Sequence, residues 1–91
     1  MDVTLANVPE GDRVVVVNVA GGRGVRRRLL EMGFAPGSEV EVIANKRGPV
    51  VVRVRGVTVA LGRGMAAKIL VKPVGGGDGW QQASVQGSGG G

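Results

Sequence analysis

Valine recurs in short alternating segments, and this pattern constrains the fold more than any other feature of the chain. Valine alternates with glutamate over residues 39–42 and with other residues over 50–55. A period of two is typical of a strand with one buried face. Gly56 then permits a tight reversal into a third segment. The predicted strands span residues 39–44, 50–55 and 57–61, with a hairpin loop at 45–48 and with Val57, Val59 and Leu61 expected on the buried face.

Two further segments add strands to this meander. Residues 13–19 read RVVVVNV, and valine on both faces favours a central strand that is covered on both sides. Residues 69–74 form the last predicted strand, which we expect to pair with 13–19 because closure would protect a valine-rich edge. The sequence therefore predicts a mainly all-β fold. It is a small, partly closed barrel of about five strands, with one inserted helix and a short second helix at residues 62–68.

The inserted helix is predicted within residues 20–37 and has one apolar stripe and a clear end. The stripe has the spacing i, i+4 and i+7 and consists of Val25, Leu29 and Met32. Gly33 suits the left-handed position that ends a helix, and Phe34 would then fold back on Leu29. Residues 36–37, a Pro-Gly pair, are typical of a type II turn into the next strand.

A second face of this helix is basic. Leu30 lies on it, among three arginines outside the apolar stripe: Arg23, Arg26 and Arg27. We predict that this face binds a protein partner, because interfaces commonly place apolar or arginine anchors within a charged rim. The alternatives are that the arginines only solvate a scaffold helix and that Leu30 packs against a neighbouring loop. Arg53 and Arg55 of the predicted sheet are the next candidates for the partner contact.

Composition excludes several kinds of chemistry. The chain has no cysteine and no histidine, which removes disulfides, thiolate catalysis, zinc ribbons and the commonest general base. Glu39 and Glu41 share one strand face, where a solvated acidic pair is favoured over a weak cation site. We therefore predict no catalytic, cofactor-binding or metal-binding residues and no enzymatic activity.

The charge balance points to an acidic partner. The formal net charge is +5 and the isoelectric point is near 11.2. One alternative is a nucleic-acid-binding barrel that places Arg53, Arg55 and the helix arginines on phosphates. A single Trp, a single Phe and no Tyr disfavour this alternative, because base-stacking platforms need aromatic side chains. The sequence has no signal-peptide pattern and no long apolar run, so we expect a cytoplasmic protein.

The composition changes abruptly after residue 74. Gly, Ser and Gln dominate residues 75–91, where Trp80 and Val85 stand isolated. Such a segment buries too little apolar surface to offset its conformational entropy. We expect one ordered domain over residues 1–74 and a disordered tail over 75–91, with a partner-binding segment anchored by Trp80 as the alternative.

A series of short motifs runs through residues 1–74. In order, the motifs are Leu5, Pro9-Glu10-Gly11, Gly22-x-Gly24, Arg28-Leu29-x-x-Met32-Gly33, Pro36-Gly37, Gly48-Pro49 and Ala60-Leu61-Gly62-x-x-x-Ala66-x-x-Ile69-x-Val71. This series resembles the FeoA family, the small cytoplasmic component of bacterial and archaeal ferrous iron uptake. The resemblance covers the whole predicted domain.

The resemblance implies an SH3-like barrel with the helix inserted after the first strand. It further implies a non-catalytic protein that promotes or regulates Fe(II) uptake by contacting FeoB, a membrane permease with a cytoplasmic G-domain. Fe(II) is then the transported ion, no cofactor is expected, and the chain reaches the membrane only through its partner. A related barrel forms part of iron-dependent repressors of the diphtheria toxin repressor type, so a regulatory module remains the alternative. Homo-oligomerisation stays open.

Overall fold

The computed structural model of the chain describes residues 3–74. The predicted tail at 75–91 lies outside the described residues. In chain order the elements are β1 (Val3–Thr4), a 3₁₀ helix (Leu5–Asn7), β2 (Arg13–Val19), α1 (Arg23–Glu31), β3 (Glu39–Ala44), β4 (Val50–Val54), β5 (Val57–Leu61), α2 (Arg63–Ala66) and β6 (Ile69–Pro73).

The strands form one antiparallel sheet in the order β1-β6-β2-β3-β4-β5. β2 pairs with β6, as Val16 opposite Val71 illustrates, so the expected closure between these two strands is confirmed. The sheet remains open between its outermost strands, β1 and β5. The mainly β, partly closed architecture with two short helices is therefore confirmed. The predicted count of five strands omitted β1, whose two residues are too few to show a period.

The core lies on one face of the curled sheet, and no polar or charged residue within 3–74 is buried in it. Leu29 is fully buried, while Val25 and Met32 are partly buried against the same core. This confirms the predicted apolar stripe of α1. The largest fully buried side chains are Phe34, Leu5, Leu29, Ile69, Val16, Val40, Val42, Val50, Val52 and Val54.

The prediction that β2 is covered on both faces is wrong. Val14 and Val16 are buried, but Val17 is 47% exposed. The register between β2 and β6 shifts between Val16 and Asn18, so Val17 is the extra residue of a β-bulge. The bulge returns Val19 to the buried face. A run of four valines gave no sign of this shift because every register looks apolar.

The expected buried face of β5 is also wrong in part. Leu61 is buried and Val59 is partly buried, but Val57 is 58% exposed. β5 is an outermost strand of the described sheet, so no neighbouring strand covers Val57 from the far side. The alternation of side chains correctly predicts a strand over residues 57–61, but it does not indicate where that strand lies in the sheet.

The C-terminal end of α1 has the predicted cap and turn. The amide of Phe34 donates to the carbonyl of Leu29 at 3.0 Å, and the amide of Gly33 donates to the carbonyl of Leu30 at 3.0 Å. With Gly33 at φ 110°, these bonds form the Schellman cap. Ser38 then donates to the carbonyl of Ala35 at 2.9 Å across the Pro-Gly pair, as expected for a type II turn.

Candidate partner-binding surface

The basic face of α1 lines an open, shallow groove of about 550 Å³, and every described residue that lines it belongs to this one helix. Leu30 is 40% exposed within the groove, so its side chain is not buried beneath a neighbouring loop. The residues that line this groove are Arg23, Arg26, Arg27, Leu30 and Glu31. The structure therefore brings together the four helix residues predicted for the partner contact. We call them, with Glu31, the α1 groove.

The α1 groove is strongly positive. α1 contains four arginines and a single acidic residue, Glu31. Glu31 lies 3.7 Å from Arg27, one turn away, and both side chains are largely exposed. Such an exposed pair contributes little to stability, so Arg27 can leave Glu31 and pair with an acidic residue of another protein at little cost. Arg23 and Arg26 add charge on the same side of the helix.

Arg53 and Arg55 lie in a separate groove on the outer face of the sheet. This groove holds about 170 Å³ and contains charges of both signs: Arg13, Glu39, Glu41, Arg53 and Arg55. Arg53 lies 3.7 Å from Glu41, and Arg13 lies 3.5 Å from Glu39. Each carboxylate is therefore balanced by an arginine on a neighbouring strand. Arg53 is a weaker candidate for an acidic partner than the arginines of α1, because its charge is already offset.

Arg55 connects the two regions. It occupies the tight turn between β4 and β5 with φ 55°, followed by Gly56 at φ 79°. Two successive residues with positive φ are the mark of a type I′ hairpin turn. The stem of Arg55 crosses over Gly33, with its Cδ 3.0 Å from where a β-carbon on Gly33 would stand. The β4–β5 turn therefore packs against the end of α1.

The structure also reveals a polar cluster that the sequence analysis missed. Arg63 donates to the side-chain oxygen of Asn45 at 2.8 Å and to the carbonyls of Ala6 at 3.0 Å and Gly48 at 3.2 Å. The amide nitrogen of the Asn45 side chain donates to the carbonyl of Val8 at 2.7 Å. These bonds fasten the β3–β4 loop and α2 to the 3₁₀ helix, so the cluster is structural. Asn45 looked like an ordinary loop residue because its partners are distant in the chain.

The described residues offer little for metal coordination. Residues 3–74 contain no group of three or more acidic, histidine or cysteine residues that could hold a metal ion. Glu39 and Glu41, the acidic pair considered for a weak cation site, each lie beside an arginine. No helix within 3–74 has the length and hydropathy needed to cross a bilayer.

A family profile described as FeoA domain matches residues 3–73. The chain belongs to the FeoA domain family. Its relatives include a putative Fe(2+) transport protein A from Methanocaldococcus jannaschii, which is 43% identical over 68 residues and covers 75% of this chain and 83% of the relative. This FeoA-family chain is therefore involved in ferrous iron transport.

A second relative joins two proteins in one polypeptide. The Fe(2+) transport protein A/FeoB fusion protein of Porphyromonas gingivalis is 41% identical over 70 residues, which is 75% of this chain and 8% of the fusion. Among solved structures, Stenotrophomonas maltophilia FeoA complexed with zinc, described as a prokaryotic SH3 domain protein, superposes with a TM-score of 0.70. It is 30% identical, with 77% of this chain and 89% of that protein covered. The FeoA-family chain is thus SH3-like.

The alternative of a repressor module agrees with the fold alone. A manganese-dependent transcriptional repressor superposes with a TM-score of 0.73 at 24% identity, and the match covers 80% of this chain but 42% of the repressor. At this identity the likeness shows a shared barrel and nothing about activity.

Proposed function

We propose that this FeoA-family chain is a cytoplasmic, non-catalytic accessory protein that regulates Fe(II) uptake through direct contact with a FeoB-type permease. The observation that carries the proposal is the fusion in Porphyromonas gingivalis, where a segment 41% identical to this chain shares one polypeptide with FeoB. Fusion holds two parts at high effective concentration. Parts that are separate proteins elsewhere must achieve the same association by binding.

The α1 groove is the proposed contact with the permease. Leu30 offers exposed apolar area at its centre, and Arg23, Arg26 and Arg27 surround it. Apolar burial would supply affinity, while the arginines would steer the chain toward an acidic surface of the permease and raise the association rate. Arg55 is a neighbouring candidate, because its stem packs on Gly33 just beyond the end of α1. Arg53 is the secondary candidate, since Glu41 already offsets its charge.

A non-catalytic role agrees with the side chains at hand. The chain has neither cysteine nor histidine, and within residues 3–74 no polar side chain is buried to be activated by its surroundings. Fe(II) enters this proposal as the ion that the permease moves. The chain contributes a surface rather than a coordination site.

Uptake measurements test this role. Cells that express the permease with and without this chain are compared for their initial rate of Fe(II) uptake under anaerobic conditions. We expect the rate to change when the chain is removed and to return when it is restored. An unchanged rate, with permease levels matched by immunoblot, would contradict the proposal.

A further inference from the structure

β5 presents an unprotected edge of the sheet. Within the described residues its one strand neighbour is β4. The strand reads VTVAL, and it contains no charged residue and no proline. Natural proteins usually protect such edges with charges, prolines or bulges, because an unpaired edge is a template for another strand. The register between β4 and β5 is also regular throughout, so no bulge protects this edge.

The hairpin turn determines which backbone groups of β5 are unpaired. A two-residue type I′ turn makes its flanking residues, here Val54 and Val57, a hydrogen-bonded pair. Hydrogen-bonded pairs then alternate along the ladder, so Val59 also faces β4 with its backbone groups. Thr58 and Ala60 therefore direct their N–H and C=O groups away from β4. Both residues are exposed.

The charges around β5 favour an acidic partner over a second copy of this chain. Arg55 precedes the strand and is exposed, so a cation lies at the start of an uncharged segment. Arg63 follows the strand, but its guanidinium is already bound to Asn45 and Ala6. Pairing of two copies along β5 would bring together two chains that each carry a formal net charge of +5. Such like charges oppose the pairing. An uncharged strand with an acidic residue beside Arg55 would match this edge.

The β5 edge begins near Gly33, which follows the end of α1. Val57 pairs with Val54, and Cγ2 of Val54 lies 3.5 Å from where a β-carbon on Gly33 would stand. Val57 is 58% exposed at this position. A partner held on the α1 groove would therefore have the start of the free edge within reach. A strand added there would cover Val57.

We infer that β5 accepts an extended segment of the permease as a seventh strand, an inference that rests on the proposed function. The segment is apolar or β-branched in its centre, where it meets Val57 and Val59, and acidic where it meets Arg55. Its backbone pairs with Thr58 and Ala60. Main-chain hydrogen bonds give affinity in strand addition, and the flanking charges set the orientation.

Proline substitution isolates the backbone contribution. Ala60→Pro deletes the outward N–H and leaves the bonds to β4 intact, and proline is tolerated on an edge strand when its nitrogen faces solvent. We expect Ala60→Pro to weaken binding to the detergent-solubilised permease at least tenfold. Ala60→Ser keeps the N–H, so we expect it to bind as tightly as the parent chain. Circular dichroism and thermal melting check that both variants are folded.

Amide exchange on the parent chain gives a second readout that needs no variant. We expect the amides of Thr58 and Ala60 to exchange rapidly in the free chain and to slow at least tenfold in the complex with the permease. If the parent chain does not bind the permease, the proposed function fails. If it binds but these two amides stay unprotected, or a folded Ala60→Pro variant binds equally well, strand addition is wrong and the proposed function stands.

Discussion

The side chain of Arg55 lies across Gly33, and its Cδ would stand 3.0 Å from a β-carbon at that position. This contact joins the β4–β5 hairpin to the end of α1, and within residues 3–74 no hydrogen bond between backbone groups links these two parts of the chain. Glycine is therefore required at position 33 for two reasons. Its φ of 110° disfavours any residue with a β-carbon, and the side chain of Arg55 occupies the space that a β-carbon would need.

Gly33→Ala should consequently destabilise the fold. Forcing a residue with a β-carbon into a left-handed conformation costs about 1–2 kcal/mol, before any displacement of Arg55 is counted. Thermal melting measures the effect, and each kcal/mol corresponds to a fall of about 4–8 °C for a domain of this size.

Gly24→Ala, in the first turn of α1, is the matched control. A β-carbon at Gly24 would meet nothing within 4 Å, and the residue lies inside α1. Alanine there should stabilise the chain by about 0.5–1 kcal/mol through its higher helix propensity. Equal effects of the two substitutions would show that the cap geometry of α1 is wrong.

The two faces of α1 should differ in their effect on stability. Leu29→Ala removes a fully buried side chain and should cost about 2–5 kcal/mol. Arg27→Ala removes an exposed ion pair with Glu31 and should cost about 0.5 kcal/mol or less. Denaturant unfolding compares the two variants. Similar small losses would mean that the core face has been misassigned.

The Asn45 cluster should be essential to the β3–β4 loop. Asn45→Ala removes the side-chain amide that donates to the carbonyl of Val8 at 2.7 Å. Val8 is buried, so its carbonyl would be left without a donor. A buried acceptor without a donor costs about 1–3 kcal/mol. Arg47→Ala changes an exposed residue of the same loop and should leave the free energy of unfolding nearly unchanged. An Asn45→Ala variant with the same free energy of unfolding as the parent chain would show that the cluster contributes little to stability.

Divalent metal should bind weakly. The carboxylates of Glu39 and Glu41 face arginines at 3.5 and 3.7 Å, and a metal would have to displace these cations. Calorimetry with Fe(II) under anaerobic conditions should therefore give no one-to-one submicromolar site. Detection of such a site would assign iron sensing to this chain. It would contradict the proposal that the chain contributes a binding surface for the permease and no coordination site for Fe(II).

The sequence predicted those features whose signals are local. Helix periodicity, the glycine at the end of α1 and alternating valines identified the stripe, the cap and most strands. The α1 groove followed from the same helix geometry, because residues on one arc of a helix are neighbours whatever the tertiary fold.

Features that depend on distant pairing were missed. The bulge at Val17 and the exposure of Val57 arise from how strands meet, which a run of valines does not encode. The bond from Arg63 to Ala6 joins residues 57 positions apart. The offset charge of Arg53 likewise follows from the pairing of β3 with β4, which sets Glu41 opposite Arg53.

Binding of the full chain to its FeoB-type permease tests the central claim most directly. Leu30→Glu and Arg26→Glu place negative charge in the α1 groove, while Lys72→Glu makes the same charge change as Arg26→Glu on β6 and is the control. All three residues are exposed, so circular dichroism should show intact folds. The account predicts that both groove variants bind the permease at least tenfold more weakly and that Lys72→Glu binds as the parent does. Undiminished binding by folded Leu30→Glu and Arg26→Glu variants would contradict it.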